Sequence, residues 1–288
     1  MTDPAKPRSH GRVAVTASVQ PRDLMAPPEL AGAWTAQIVT LFPDAFPGTL
    51  GLSLTGKALT EGLWNLMTIP LREFGVGRHR NVDDTPAGGG AGMVIRADVM
   101  AAALRQAQAR RPGLPIVYLS PRGKPYTQAM ARRLANGPGV TLICGRFEGV
   151  DQRVLDAFDV TEISIGDYVL TGGEIAAQVL IDAAVRLIPR VLGNQGSLAE
   201  ESFSEATGGL LEHPQYTKPA EWEGRAIPEV LLSGNHAAIS HWRDDMAARL
   251  TKERRPDLWR AFEETRVDPV KDRQLSGASD QSRNHREH

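Results

Sequence analysis

TEISIGDYVLTGGEIAAQVLIDAAVRL (161–187) changes character twice along its length. TEISI is a short run rich in strand formers, SIGDYVLTGGE is a glycine-bearing loop, and Glu174 to Leu187 has the apolar content of a buried helix. The same alternation is repeated outward from this stretch. AQIVTLF (36–42), NLMTIPL (65–71), PIVYLS (115–120) and VTLICG (140–145) read as further strands. Met93 to Arg110 and Gln128 to Leu134 read as helices between them. The first carries Val99, Ala103, Leu104 and Ala107 at helical spacing before the breaker Pro112. Strands alternating with helices predict an α/β layered domain with a mostly parallel sheet, which binds ligands beyond the carboxyl ends of its strands.

The flanks read differently. Residues 1–33 hold five prolines and an early Asp3 without a continuous apolar run, so they are expected to be a flexible extension rather than a secretory signal. The layered domain is expected over 34–193. GNQGSLAEESFSEATGG (193–209) is rich in small and acidic residues and reads as a mobile linker, assigned to 194–208. A small helical domain is expected over 209–265. In it Asn235 to Arg255 forms an amphipathic helix with Ala238, Ile239, Trp242, Met246 and Leu250 on one side, and Leu258 to Glu264 forms another. Residues 266–288 are polar and expected to be a disordered tail.

Composition excludes more than it selects. The chain of 288 residues has 33 Lys plus Arg against 34 Asp plus Glu, so any nucleic-acid site must be a local patch. Cys144 is the only cysteine, which rules out an internal disulfide framework and cysteine-based zinc clusters and fits a reducing cytoplasm. The longest apolar run, Ile175 to Ile188, is interrupted by Asp182 and Arg186, so no membrane partner is expected.

Four glycine-bearing segments fall at strand ends or between elements: AGGGAGM (87–93), SPRGKPY (120–126), CGRFEGVD (144–151) and SIGDYVLTGGE (164–174). Each taken singly is an ordinary tight turn as readily as a ligand loop. Together they suit backbone amides and carbonyls presented to a ligand's polar edge. None follows the dinucleotide fingerprint. GLSLTGKA (51–58) matches the phosphate-loop pattern except that Ala58 stands where a hydroxyl should bind magnesium. Its leucine-rich interior reads better as a helix with Lys57 at the surface.

Taken in order, LFPDAF (41–46), RHRNVDD (78–84), PAGGGAGM (86–93), YLSPRGKP (118–125), CGRFEGVD (144–151), SIGDYVLTGGE (164–174) and LLSGNHAAISHWR (231–243) resemble the bacterial tRNA (guanine-N1-)-methyltransferases of the SPOUT class. The resemblance runs from about Trp34 to Arg255. It implies a deep trefoil knot in the sheet domain, an exception to the rule against threaded chains. It also implies a homodimer, tRNA as substrate, and methyl transfer from S-adenosylmethionine to N1 of the guanosine 3′ of the anticodon, position 37. By motif, the cofactor would be held by Tyr118, Leu119, Ser120 and Pro121 from one loop, and by Gly145, Phe147, Glu148 and Gly149 from the next. Ser164, Ile165, Gly166, Asp167, Tyr168, Val169, Leu170, Gly172 and Gly173 would complete the site. Glu148 would also help place Mg2+.

The chemistry asks for two more groups, since N1 of guanine carries a proton at neutral pH and charge grows on O6 as that proton leaves. A carboxylate suits the first task and a cation the second. The resemblance places Arg186 at O6; by spacing alone the same side chain reads as an i, i+4 partner of Asp182. The family's aspartate before Ser-Phe is replaced here, and Glu201 takes its position with Glu200 as competitor. The segment after Ser-Phe is longer than the family's, and Glu212 stands where an aspartate is expected. Arg78, His79, Arg80, Glu212 and Arg243 are the RNA-facing candidates, with Arg249, Lys252, Arg254 and Arg255 on the same helix as Arg243. A noncatalytic tRNA-binding protein with a degraded base is the principal rival, and a phosphate-loop phosphohydrolase a more distant one.

Overall fold

The computed structural model describes residues 32–193 and 200–267. Its centre is a five-stranded sheet built from β1 (Trp34–Thr40), β2 (Trp64–Pro70), β5 (Ile116–Pro125), β6 (Gly139–Ile143) and β7 (Thr161–Ser164), ordered β2-β1-β6-β5-β7. All four pairings are parallel. Two short strands, β3 (Asp83–Asp84) and β4 (Val94–Ile95), pair antiparallel beside it.

Because side chains alternate across a strand, each central strand feeds two cores. Trp34, Ala36 and Ile38 of β1, Val117 and Leu119 of β5, and Val140 and Leu142 of β6 face one side. There they pack against α1 (Ser53–Thr60) and α5 (Glu174–Val185), with α3 (Gln128–Ala135) on the same face. Val39, Ile116, Tyr118 and Ile143 face the other side, under α2 (Ala97–Arg110) and α4 (Gln152–Ala157). Between β1 and β6 the buried Thr141 hydroxyl donates to the Gln37 side-chain carbonyl at 3.0 Å, while the Gln37 side-chain nitrogen has no hydrogen-bond partner among the described residues.

Several expected boundaries move, two of them through strand pairing. The helix expected from Met93 begins at Ala97, because Val94–Ile95 is taken up as β4 and the Ile95 N–H donates to Gly149 O at 2.9 Å. The strand expected to stop at Ser120 resumes after a register shift and pairs Lys124 and Pro125 with β7. Gly123 makes this possible, since a Cβ there would collide with the backbone of Glu162 and Ile163.

Residues 200–212 form a hydrogen-bonded turn rather than an open connection. Phe203 N–H donates to Leu210 O at 3.0 Å, Gly209 N–H to Ser204 O at 2.8 Å, and Leu211 N–H to the Thr251 hydroxyl at 2.9 Å. The rest of the expected linker, 194–199, lies outside the described residues, as do the extension to Ala31 and the tail from 268. Beyond the turn come a hairpin of β8 (Glu221–Trp222) and β9 (Arg225–Ala226), then α6 (Glu229–Leu232), α7 (His236–Arg254) and α8 (Pro256–Val267). Asn235 caps α7, its side-chain oxygen accepting from Ala238 N–H at 3.2 Å, which explains why that helix starts one residue later than its periodicity predicts. Among the described residues no helix is long and apolar enough to cross a membrane.

Candidate active site

The loops that leave β5, β6 and β7 converge on a cleft of about 320 Å3. Its walls include every residue assigned to the cofactor by motif except Asp167, and add Arg122, Arg146, Ile163, Thr171 and Ala176. Glycine lets these loops approach one another closely. A Cβ on Gly145 would come within 2.8 Å of the Tyr118 hydroxyl, and one on Gly173 within 2.7 Å of the Cys144 Cα. The glycine-rich segment at 87–93 joins through its end: Glu148 N–H donates to Met93 O at 2.9 Å, and Gly92 lies against the Glu148 carboxylate. Burial holds the Tyr118 phenol above its ordinary value, so it remains a neutral hydroxyl in the cleft wall. Cys144 is wholly buried and its thiol is pushed far up by that burial, which leaves no reactive thiolate.

One buried ion pair ties the loops together. Arg146 contacts Glu174 at 2.7 Å and donates to Thr171 O at 3.2 Å, and its guanidinium lies 4.4 Å from the centre of the Phe42 ring. The other Glu174 oxygen accepts from the buried Thr40 hydroxyl at 2.8 Å. LFPDAF, CGRFEGVD and the TGGE corner thus share a single network. The sequence reading missed Arg146 and Glu174 as a pair, because they stand in separate motifs with no periodic relation.

Arg186 and Glu201 meet in a two-pronged pair, both Nη···Oε distances being 2.6 Å. The i, i+4 alternative does not form: Asp182 instead accepts from the Thr55 hydroxyl at 3.2 Å. Hydrogen bonding from Arg186 holds the Glu201 carboxyl below its ordinary range. Its competitor Glu200 goes elsewhere, to Arg243 at 3.4 Å on the surface. Glu201 borders a second pocket of about 220 Å3 between α3 and the 200–212 turn.

The structure does not bring this pair to the cleft of its own chain. Gly172, Gly173 and Ala176 line the cleft at the start of α5, whereas Arg186 caps its other end, about 15 Å along the axis from Ala176 at about 1.5 Å per residue.

The remaining candidates are dispersed. Arg78, His79 and Arg80 are exposed on a turn closed by reciprocal Val76–Asn81 backbone bonds. Glu212 is half-buried; its N–H donates to the Ser202 hydroxyl at 2.8 Å and its carboxylate accepts from Gln215. GLSLTGKA is a 3-10 turn followed by α1, with Lys57 exposed and 3.7 Å from Glu61, so the phosphate-loop reading is overturned. Among the described residues no group of three or more His, Cys, Asp or Glu side chains comes together as a metal site.

Residues 35–261 match the family model described as tRNA (Guanine-1)-methyltransferase TrmD. The chain belongs to that family. A protein from Cereibacter sphaeroides named tRNA (guanine-N(1)-)-methyltransferase is 69% identical over 251 residues, covering 85% of this chain and all of the relative. Relatives of the same name from Roseobacter denitrificans (67% identical, 83% of this chain and 98% of the relative) and Brucella ovis (57%, 82% and 95%) tell the same story. As a member of this methyltransferase family the chain is an enzyme of tRNA methylation.

Proposed function

We propose that the chain transfers a methyl group from S-adenosylmethionine to N1 of the tRNA guanosine 3′-adjacent to the anticodon, position 37. The observation that carries this reading is the Arg186–Glu201 pair inside a chain of this family. A carboxylate and a guanidinium held side by side match the N1–H donor and O6 acceptor on one edge of guanine. On binding, the target base replaces the pair: Arg186 turns to O6 and Glu201 receives the N1 proton. Freed from Arg186, the carboxylate becomes a better base than it is in the closed pair.

The cleft suits the cofactor. Its volume falls in the small-ligand range, Ile165 and Leu170 provide apolar walls, and the glycine corners leave backbone groups for an adenine and a carboxylate. S-adenosylmethionine supplies the electrophilic sulfonium methyl when bound. Glu148, at the rim, suits a Mg2+ ion that keeps most of its waters.

The distance between cleft and pair supports a homodimer in which one subunit's cleft faces the partner's Arg186 and Glu201. Leu52, Leu54, Ile175 and Val179 are exposed along α5 and the segment hydrogen-bonded to it, an apolar surface suited to a second copy. We assign the three converging loops to a deep trefoil knot and residues 209–265 to a small helical tRNA-binding domain, with Arg78, His79, Arg80 and Arg243 facing phosphates. The rival reading, binding without turnover, is disfavoured because Glu201 keeps the aspartate's place and its cationic partner.

Methyl transfer from labelled S-adenosylmethionine to a tRNA transcript tests the reading. Glu201→Gln and Arg186→Ala are each expected to lose about 100-fold or more in rate, whereas Glu200→Gln stays near wild type. Tight binding of tRNA and S-adenosylmethionine by wild type without transfer would overturn the enzyme reading in favour of the binding one.

A further inference from the structure

The 200–212 turn is held from the sheet side by a second cation besides Arg186. Arg132 on α3 donates through Nη2 to the Phe203 carbonyl at 3.3 Å and lies 3.9 Å from the Glu205 carboxylate. Its platform is rigid. Thr127 caps α3, the Trp34 indole donates to Leu134 O at 2.7 Å, and Met130 and Leu134 pack against the core.

What Arg132 grips is strained. Phe203 adopts φ +65°, a conformation that a side chain of this size rarely takes unless its surroundings enforce it. Two hydrogen bonds enforce it here, one from its N–H to Leu210 O and one from Arg132 to its carbonyl. Glu201 lies two residues earlier in the same turn. Arg132 and Glu201 also face the same 220 Å3 pocket, with Gln128, Asn136, Leu187 and Ser202.

We propose that Arg132 is a positioning residue for methyl transfer, clamping the Phe203 carbonyl so that the Glu201 carboxylate stays at the pocket wall when Arg186 turns to the substrate. The proposal rests on Glu201 being the base. Arg186 cannot both hold the turn and stabilise O6. With Arg186 turned to the substrate, Thr251 and Arg243 hold the turn from the helical side, and Arg132 keeps a grip on it from the sheet side, at the carbonyl two residues beyond Glu201.

The test is steady-state methylation of the tRNA transcript by full-length Arg132→Ala, Arg132→Gln and Arg132→Lys, with S-adenosylmethionine affinity measured by calorimetry. Arg132→Ala is expected to lower kcat about tenfold to a hundredfold, with the KM for tRNA and the cofactor affinity changed less than about twofold. Lys, which keeps a cationic donor, restores part of the loss; Gln restores less. An unchanged kcat, or a raised tRNA KM at unchanged kcat, overturns the proposal, the latter making Arg132 a phosphate contact. If Arg132→Ala does not fold, Lys and Gln decide by the same criterion, equal kcat in both at wild-type level overturning it. An inactive wild type would instead overturn the enzyme reading itself.

Discussion

Glu174 is a carboxylate only 4% exposed, a placement that charged side chains occupy when paired. Removing one partner of such a pair leaves the other uncompensated, so Glu174→Ala is expected to cost about 3 kcal/mol in denaturant unfolding and to weaken cofactor binding. The Arg186–Glu201 pair is less than one third exposed at both ends and two-pronged, and should stabilise the turn by about 1 kcal/mol. Because the folded Glu201 value is lowered, that contribution is full above the ordinary value of 4.5 and is lost as pH falls through the lowered one. The stability difference between wild type and Glu201→Gln should therefore be constant from neutral pH down to that range and shrink below it. A difference that grew on acidification would contradict the assignment. At this scale the sequence was partly legible. The residues that line the cleft were picked out through motif resemblance, since a loop's glycines signal freedom of backbone and not its ligand. Arg146 and Glu174 carried no signal, because a buried ion pair between distant segments leaves no periodicity.

Elements were more legible than residues. AQIVTLF (36–42) read as a strand and the structure forms β1 over Trp34–Thr40; the parallel sheet is covered on both faces, so even Thr35 and Gln37 are buried with Trp34, Ala36, Ile38 and Val39. Misplaced boundaries have local causes: Val94 and Ile95 fit a helical period but are claimed by pairing with Asp83 and Asp84. Two substitutions probe element junctions. Asn235→Ala removes the α7 cap and should lower stability by about 1 kcal/mol, seen as a matching shift in the denaturant midpoint. Gly173→Ala drives a methyl against the Cys144 backbone, where no flexible side chain can yield. It should separate β6 from the start of α5 and abolish cofactor binding in calorimetry, and a variant that binds normally would show that the corner is looser than its geometry implies.

At the scale of the whole molecule, the spacing along α5 decides how the parts combine. The cleft lies at one end of the helix and the Arg186–Glu201 pair at the other, and the proposed shared site joins one subunit's cleft to the partner's pair. The order of motifs identifies the family but says nothing of this separation, which emerges only when helix length is set against the cleft. Subunit complementation tests the shared-site account most directly. Leu170→Glu, which places a carboxylate in the cleft wall, and Arg186→Ala should each be inactive when purified alone in the tRNA methylation assay. Random reassortment of an equal mixture makes half the dimers mixed, each with one intact site of two, so activity should recover to about a quarter of wild type. Recovery near that level, with methyl on N1 of the guanosine 3′ of the anticodon, is the predicted result; a mixture that stays as inactive as its components after verified reassortment would contradict the shared site.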